Sequence, residues 1–303
     1  MKTPVHPWAG PLAPAGLALS PAQPPAGRIW PRLRNNRAGL AGLVMVLFFG
    51  LIALGVVLGM LGQDWSAASG GRWEEPGAAH WFGTNLLGQD IFQRALYSVR
   101  VAFEIGMVVA LVSTALGALT GALSGWHADS WADGVIVFLT GVLDSIPFYL
   151  FVAAVAFALK GNAWSMQIAM VATFWTTTSR LIRAEVMRLK GRDFIQAALA
   201  MGLPTPLILL RHVLPNTNHI LLAQVAIVFV AAIKAEVILS FLGLGVHDGV
   251  SWGLMLAEST QEVLAGQFND LLAASLPLFA LLLGFNLMID ALQDAFDPRQ
   301  GTA

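Results

Sequence analysis

The apolar positions of this chain gather into long unbroken runs, not into the alternating or one-faced stripes of a water-soluble domain. The runs cover residues 38–61, 101–126, 134–159, 163–179, 220–241 and 271–289. A helix rises 1.5 Å per residue, so each run is in the length range for a hydrocarbon core about 30 Å thick. An all-α integral membrane protein of six transmembrane helices is predicted, with both ends of the chain on one side.

Charge orients the array. Arg28, Arg32, Arg34 and Arg37 precede the first run and place the N-terminus in the cytoplasm, where Lys and Arg accumulate. With that side assigned, Lys2, Arg180, Arg183, Arg188, Lys190, Arg192, Arg211 and Arg299 are cytoplasmic too, while only Arg72, Arg94, Arg100 and Lys160 lie outside. Both termini are therefore expected in the cytoplasm. Residues 62–100, with Trp65, Trp73 and Trp81 suited to an interfacial belt, are expected outside. The organisation that follows is a disordered cytoplasmic tail over 1–37, rich in Pro, Ala and Gly with no cleavable signal, and a transmembrane domain over 38–291. A short cytoplasmic tail over 292–303 completes the chain.

Composition agrees: 56% of the 303 residues are hydrophobic and 12% charged, about half the charge of a soluble domain, with mean hydropathy +0.69. The surroundings are a lipid bilayer. A net charge of −1 gives no affinity for nucleic acid, and the lack of cysteine excludes disulfides, thiolate metal sites and a Cys nucleophile.

One stretch of the cytoplasmic loop 180–219 is punctuated unlike anything else. Asp193 can cap a short helix, with Gln196 closing a capping box, and Gly202 followed by Pro204 stops it. Thr205 caps a second helix with Pro206 in its first turn, and Pro215 ends it. Two capped helices joined by a Pro-Thr-Pro elbow have the form of a part to be gripped.

Catalytic signatures are missing. None of Lys2, Lys160, Lys190 and Lys234 follows a glycine, so no phosphate-cradling loop is present. His-Glu-x-x-His and Gly-x-Ser-x-Gly are absent as well. An enzyme is not predicted, nor any cofactor or metal bound by this chain. Intramembrane charges are the remaining candidates, since an unpaired charge at mid-membrane costs about 2.5–3.5 kcal/mol even on insertion scales. Asp144, three residues before Pro147, Lys234 and Glu236 are the candidate pathway-lining set, with Glu104 near the outer end of the second run. The alternative is that Glu104 and Glu236 reach the interface and Asp144 pairs with a neighbouring helix. Pro147 and Pro277 are expected to kink their spans. Gly55/Gly59 and Gly117/Gly121/Gly125 have the spacing for close helix approach, within one bundle or between subunits.

Gln196-Ala197-Ala198, Gly202 six residues after Gln196, and Leu214-Pro215 resemble the EAA loop of ABC-importer permeases, where Glu-Ala-Ala, Gly and Leu-Pro have this spacing. Arg211-His212-Val213-Leu214-Pro215-Asn216 resembles the form found in dipeptide, oligopeptide and nickel permeases. Gly83-Thr84-Asn85-Leu86-Leu87-Gly88-Gln89-Asp90, Leu239-Ser240-Phe241-Leu242-Gly243-Leu244-Gly245, Ser251-Trp252-Gly253 and Asp294-Ala295-Phe296-Asp297-Pro298-Arg299 resemble further segments of that family, in the same order. Departures are Gln196 for Glu, Asn85 and Gln89 for Asp and Arg, and Phe138 and Gly141 for an Arg and an Asp.

The resemblance implies a type I ABC importer permease fold in the bacterial cytoplasmic membrane. It further implies a second homologous permease subunit, two cytoplasmic ATPase subunits that use ATP and Mg, and an extracytoplasmic substrate-binding protein. Asp193, Gln196, Ala197, Ala198, Ala200, Met201, Gly202, Arg211, Leu214 and Pro215 would couple to the ATPase, the small alanines permitting close docking. Residues 244–270, with Trp252, Glu258 and Glu262, are expected to form an outer cap facing the binding protein, the alternative being an interfacial hairpin with no partner. Dipeptides, longer peptides and nickel are all compatible substrates, and an ATP-independent secondary carrier is the rival class.

Overall fold

A computed structural model describes residues 36–159, 162–245 and 249–296, the side chain of residue 296 excepted. The two expected tails, except for residues 36–37 and 292–296, lie outside these residues, as do Lys160 and the motif residues Asp297, Pro298 and Arg299.

Among the described residues the regular structure is helical. The elements are α1 (Arg37–Val57), α2 (Ile91–Trp126), α3 (Trp131–Ser145), α4 (Phe148–Ala158), α5 (Ser165–Lys190) and α6 (Asp193–Ala200). Next comes α7, a run over 205–216 made of Thr205–Ile208, a π-helical turn Leu209–Val213 and Leu214–Asn216. The chain continues into α8 (Asn218–Phe241), α9 (Trp252–Leu264) and α10 (Asn269–Phe296). Among the described residues four helices are long and apolar enough to cross a membrane: α1, α2, α8 and α10. The pair α3/α4 passes the same test jointly. Helix α5 has the length, at 26 residues, but Thr176, Thr177, Thr178, Ser179, Arg180 and Arg183 dilute its apolar character.

Local chemistry sets most boundaries. Asn36, Asp90, Ser130 and Ser251 each cap a helix by accepting from an amide three residues on, at 3.0–3.4 Å. Helix α2 starts ten residues before the apolar run because Asp90 caps it there and Arg94 and Ser98 are hidden beneath neighbouring elements. The expected single kinked helix over 134–159 is instead two helices meeting at 95°. Ile146 is extended (ψ 131) and Pro147, which has no amide hydrogen to continue the ladder, stands as the first residue of the next turn. Pro277 stays within α10.

The bundle is assembled around α2. A Cβ on Gly117 would lie 2.7 Å from the Trp175 carbonyl oxygen, one on Gly125 2.6 Å from that of Arg183, and one on Gly121 would meet the Ser179 oxygen. These three glycines therefore form a seam inside one chain, against α5. Gly55 meets only Leu61, and Gly59, at φ +73, belongs to a turn after α1, so that pair makes no helix seam. The main core joins α2, α8 and α10, where Phe229 and Phe285 stack at 4.1 Å over Gly106. A second, smaller core at the end of the bundle where α2 and α5 meet α6 and α7 gathers Ala122, Trp126, Ile182, Val186, Leu189, Ile195, Ala198, Ile208 and Val213.

Candidate functional site

The loop after α5 is built on that second core. Ile195 and Ala198 of α6 and Ile208 and Val213 of α7 point inward and are fully buried. Burying a side chain such as Ile195 is worth about 1.5–3 kcal/mol, so the two short helices are held by packing more than by their own propensity. Asp193, Phe194, Gln196, Ala197, Ala200, Met201 and Gly202 face outward, Met201 at 73% exposure, with Arg211 and Pro215 of α7. Leu214 is half-buried. Ala198 faces its own core, so of the three alanines expected to permit docking only Ala197 and Ala200 are on the open face.

The capping box is not formed. Arg192 is the N-cap, its side chain making no capping bond, and Asp193 lies in the first turn, where its charge complements the helix dipole. Gln196 Nε2 donates to the Lys190 carbonyl at 2.8 Å, a bond that an ionised glutamate, having no donor, cannot make. The stop is as expected: Gly202, at φ +75, donates to the Leu199 carbonyl at 2.9 Å and Leu203 donates to Ala198 at 3.2 Å, the two bonds of a Schellman ending. Pro204, not Thr205, is the cap of α7. Pro215 does not end it. The π turn just before absorbs the missing amide, Asn216 Nδ2 bonds the His212 carbonyl at 2.5 Å, and the chain runs on to α8 after a single residue.

Side chains tie the loop to the bundle. Lys190 Nζ donates to the Trp126 carbonyl at 2.7 Å and lies over that ring. Arg183 grips Asp133 in a bidentate pair at 2.8 and 2.7 Å, and Ser124 and the Asp129 amide donate to the same carboxylate. The sequence does not reveal this network, because the partners are fifty residues apart. A charge beside each end of an apolar run is its only trace.

The candidate pathway residues are not one cluster. Asp144 pairs with Arg180 and accepts from the Thr176 hydroxyl at 3.0 Å, and Pro147 opens α4 beyond the break. Glu236 is buried at 2% exposure and accepts from Ser240 at 2.6 Å, while Lys234, two residues earlier on α8, is exposed. Glu104 pairs with Arg100 at 3.7 Å.

At the opposite end, the Asn85 side chain accepts from the Leu87 and Gln89 amides at 2.9 Å each, closing residues 85–89, at the end of the segment over 58–90, into a tight turn. Beneath it Arg94, 3% exposed, pairs with Glu258, Glu262 accepts from the Leu86 amide at 2.7 Å, and Asp270 is fully buried. Burial pushes the Glu258 carboxyl above the usual carboxylate range; Arg94 opposes this and Glu262 adds to it. Trp252 and Glu262 point inward, which leaves the half-buried Glu258 as the more accessible acid of the expected outer cap. Among the described residues no group of His, Cys, Asp and Glu is arranged to hold a metal ion.

Comparison with known proteins agrees with this architecture. The chain is 36% identical over 272 residues to the oligopeptide transport system permease protein OppC of Mycobacterium bovis, covering 88% of this chain and 92% of that one. It is 31% identical over 274 residues to the dipeptide transport system permease protein DppC of Bacillus subtilis, covering 89% and 84%. The DppC protein of Alkalihalophilus pseudofirmus is 30% identical over 269 residues, 88% of each. Residues 113–302, from the middle of α2 onward, match one family throughout. A multi-pass helical membrane chain with this match belongs to the family of binding-protein-dependent transport system inner membrane components.

Proposed function

We propose that the chain is one of two permease subunits of an ATP-driven importer of dipeptides or oligopeptides in the bacterial cytoplasmic membrane. In this reading α5 and the bent pair α3/α4 join α1, α2, α8 and α10 to make six crossings with both termini cytoplasmic. Helix α6 seats in a groove of a cytoplasmic ATPase, which binds and hydrolyses ATP with Mg, and a binding protein delivers peptide at the outer face. The observation that carries the reading is the two-sidedness of the loop: Ile195, Ala198, Ile208 and Val213 lock it to α2 and α5, while Phe194, Ala197, Met201 and Leu210 are left open to a partner. An energy-consuming device with no nucleotide-binding motif of its own needs such a face. The substrate class follows the names of the relatives, all peptide permeases.

The test is reconstitution of the chain with its second permease subunit, ATPases and binding protein in vesicles. Uptake of labelled peptide is expected to require ATP, and Met201→Glu is expected to lower it about tenfold or more, an ordinary intersite coupling, while the chain remains in the membrane. Peptide uptake by the purified chain alone, driven by an ion gradient, would replace this reading with a secondary carrier.

A further inference from the structure

Helix α3 is poorly packed. Only Asp133 and Thr140 along its length are buried, while Trp131, Val135, Val137, Phe138, Leu139 and Val142 are exposed. What fastens it to α5 is polar and sits at its two ends. At the cytoplasmic end is the Arg183–Asp133 fork, reinforced by Ser124 and by the Asp129 amide in a left-handed turn, φ +64. At the far end, just before the 95° break, Arg180 pairs with Asp144, and the Thr176 hydroxyl donates to the same carboxylate. Asp133 and Asp144 are separated by roughly 16 Å of helix at 1.5 Å per residue. Their arginines stand one turn apart on α5, so the two bonds converge from both ends of α3 onto one patch of α5.

That patch continues into the coupling loop. Helix α5 is uninterrupted from Arg180 to Lys190, and α6 begins at Asp193. Gln196 bonds the Lys190 carbonyl, and Ile195 packs in one core with Ile182, Val186 and Leu189. We propose that Arg180 and Arg183 are positioning residues that strap α3 to α5, so that a displacement of α6 carries the bent pair α3/α4 with it as one body. Charge-assisted bonds suit this role because they are directional, the two-pronged Arg183–Asp133 fork most of all with its carboxylate buried, whereas the sparse apolar contact of α3 lets it slide. The proposal rests on the reading of α6 as the segment a partner ATPase moves.

The chain has no cysteine, so Val135→Cys on α3 and Met187→Cys on α5, both at exposed positions, give two unique labelling sites. In the complete transporter in lipid nanodiscs, the distance between spin labels at these sites is expected to stay single and narrow with and without trapped ATP. With Arg180→Met and Arg183→Met the distribution is expected to broaden, and peptide transported per ATP hydrolysed to fall about tenfold, the size of an ordinary intersite coupling. Arg180→Met alone, at the more exposed pair, does not threaten folding and is expected to give an intermediate loss. The reversed pair Asp144→Arg with Arg180→Asp is expected to restore most of it, a rescue that a merely space-filling role would not give. A nucleotide-dependent distance in the parent protein overturns the proposal, as does normal coupling with a narrow distance in the methionine variants. Should the parent complex show no ATP-dependent uptake, it is the proposed function that fails; should uptake be normal and the variants unaffected, only the straps fail.

Discussion

A Cβ placed on Gly202 meets nothing within 4 Å, so this glycine is not there to make room within its own chain. Its reason is the backbone, φ +75, which closes the Schellman ending of α6. An L-residue in that region costs about 1–2 kcal/mol, and asparagine is the most tolerant of the side chains. Gly202→Asn is therefore expected to keep peptide uptake close to normal in reconstituted vesicles, and Gly202→Trp to abolish it if the open face is docked against an ATPase. Equal uptake by both variants would remove the docking role from this position. Gln196 is resolved at the same scale: its amide donates to Lys190, so the departure from Glu replaces an acid by a local tie and keeps the end of α5 in register with α6.

Between helices, the seam of Gly117, Gly121 and Gly125 brings α2 against the backbone of α5. Gly121→Val puts atoms where the Ser179 carbonyl stands, and overpacking of this kind costs about 1–3 kcal/mol. Gly134, on the open side of α3, has nothing within 4 Å, and Gly134→Ala is expected to gain up to about 1 kcal/mol through helix propensity. Thermal unfolding in detergent should move in opposite directions for the two, and equal shifts would contradict the seam. The apolar runs behind α1, α8 and α10 were legible in the sequence because length and hydropathy alone decide them. The glycine spacing was legible too, though not its partner. The first ten residues of α2 were not legible, since Arg94 and Ser98 look like loop residues until neighbouring elements cover them. Nor was the 95° break: Pro147 announces an interruption, but its angle is set by how α4 packs on α5. The Asp133–Arg183 fork lies beyond any local pattern, because its two halves meet only after the seam has closed.

For the molecule as a whole, polar chemistry is concentrated at its two ends and apolar packing occupies the middle. At one end the segment over 58–90, the first turns of α2, and α9 converge on Arg94. The Glu258 carboxyl there is held above its ordinary value by burial. The unfolded chain loses this proton first as pH rises, so the contribution of Glu258 to stability declines from about pH 4.3, the ordinary glutamate value, up to its folded pKa. Thermal unfolding followed across that window should show a loss of stability with rising pH that is smaller in Glu258→Gln. An unchanged slope in the variant would show that the carboxyl is not perturbed. At the other end α6, α7 and α5 share one core with the end of α2.

The π turn at Leu209–Val213 bears on which way that end faces. A π turn holds one residue more than the α-helical turn it replaces, and each residue of an α-helix advances the chain by about 100°. The wide turn takes up that extra residue within a single turn, so the flanking segments keep the orientation they would have on a regular helix one residue shorter. The same residue carried in a strictly α-helical run would swing everything upstream by about 100° relative to α8 and turn the open face of α6 sideways. A residue inserted or deleted elsewhere in 205–216, with no widened turn to absorb it, could keep every side chain of that face and still present them in the wrong direction.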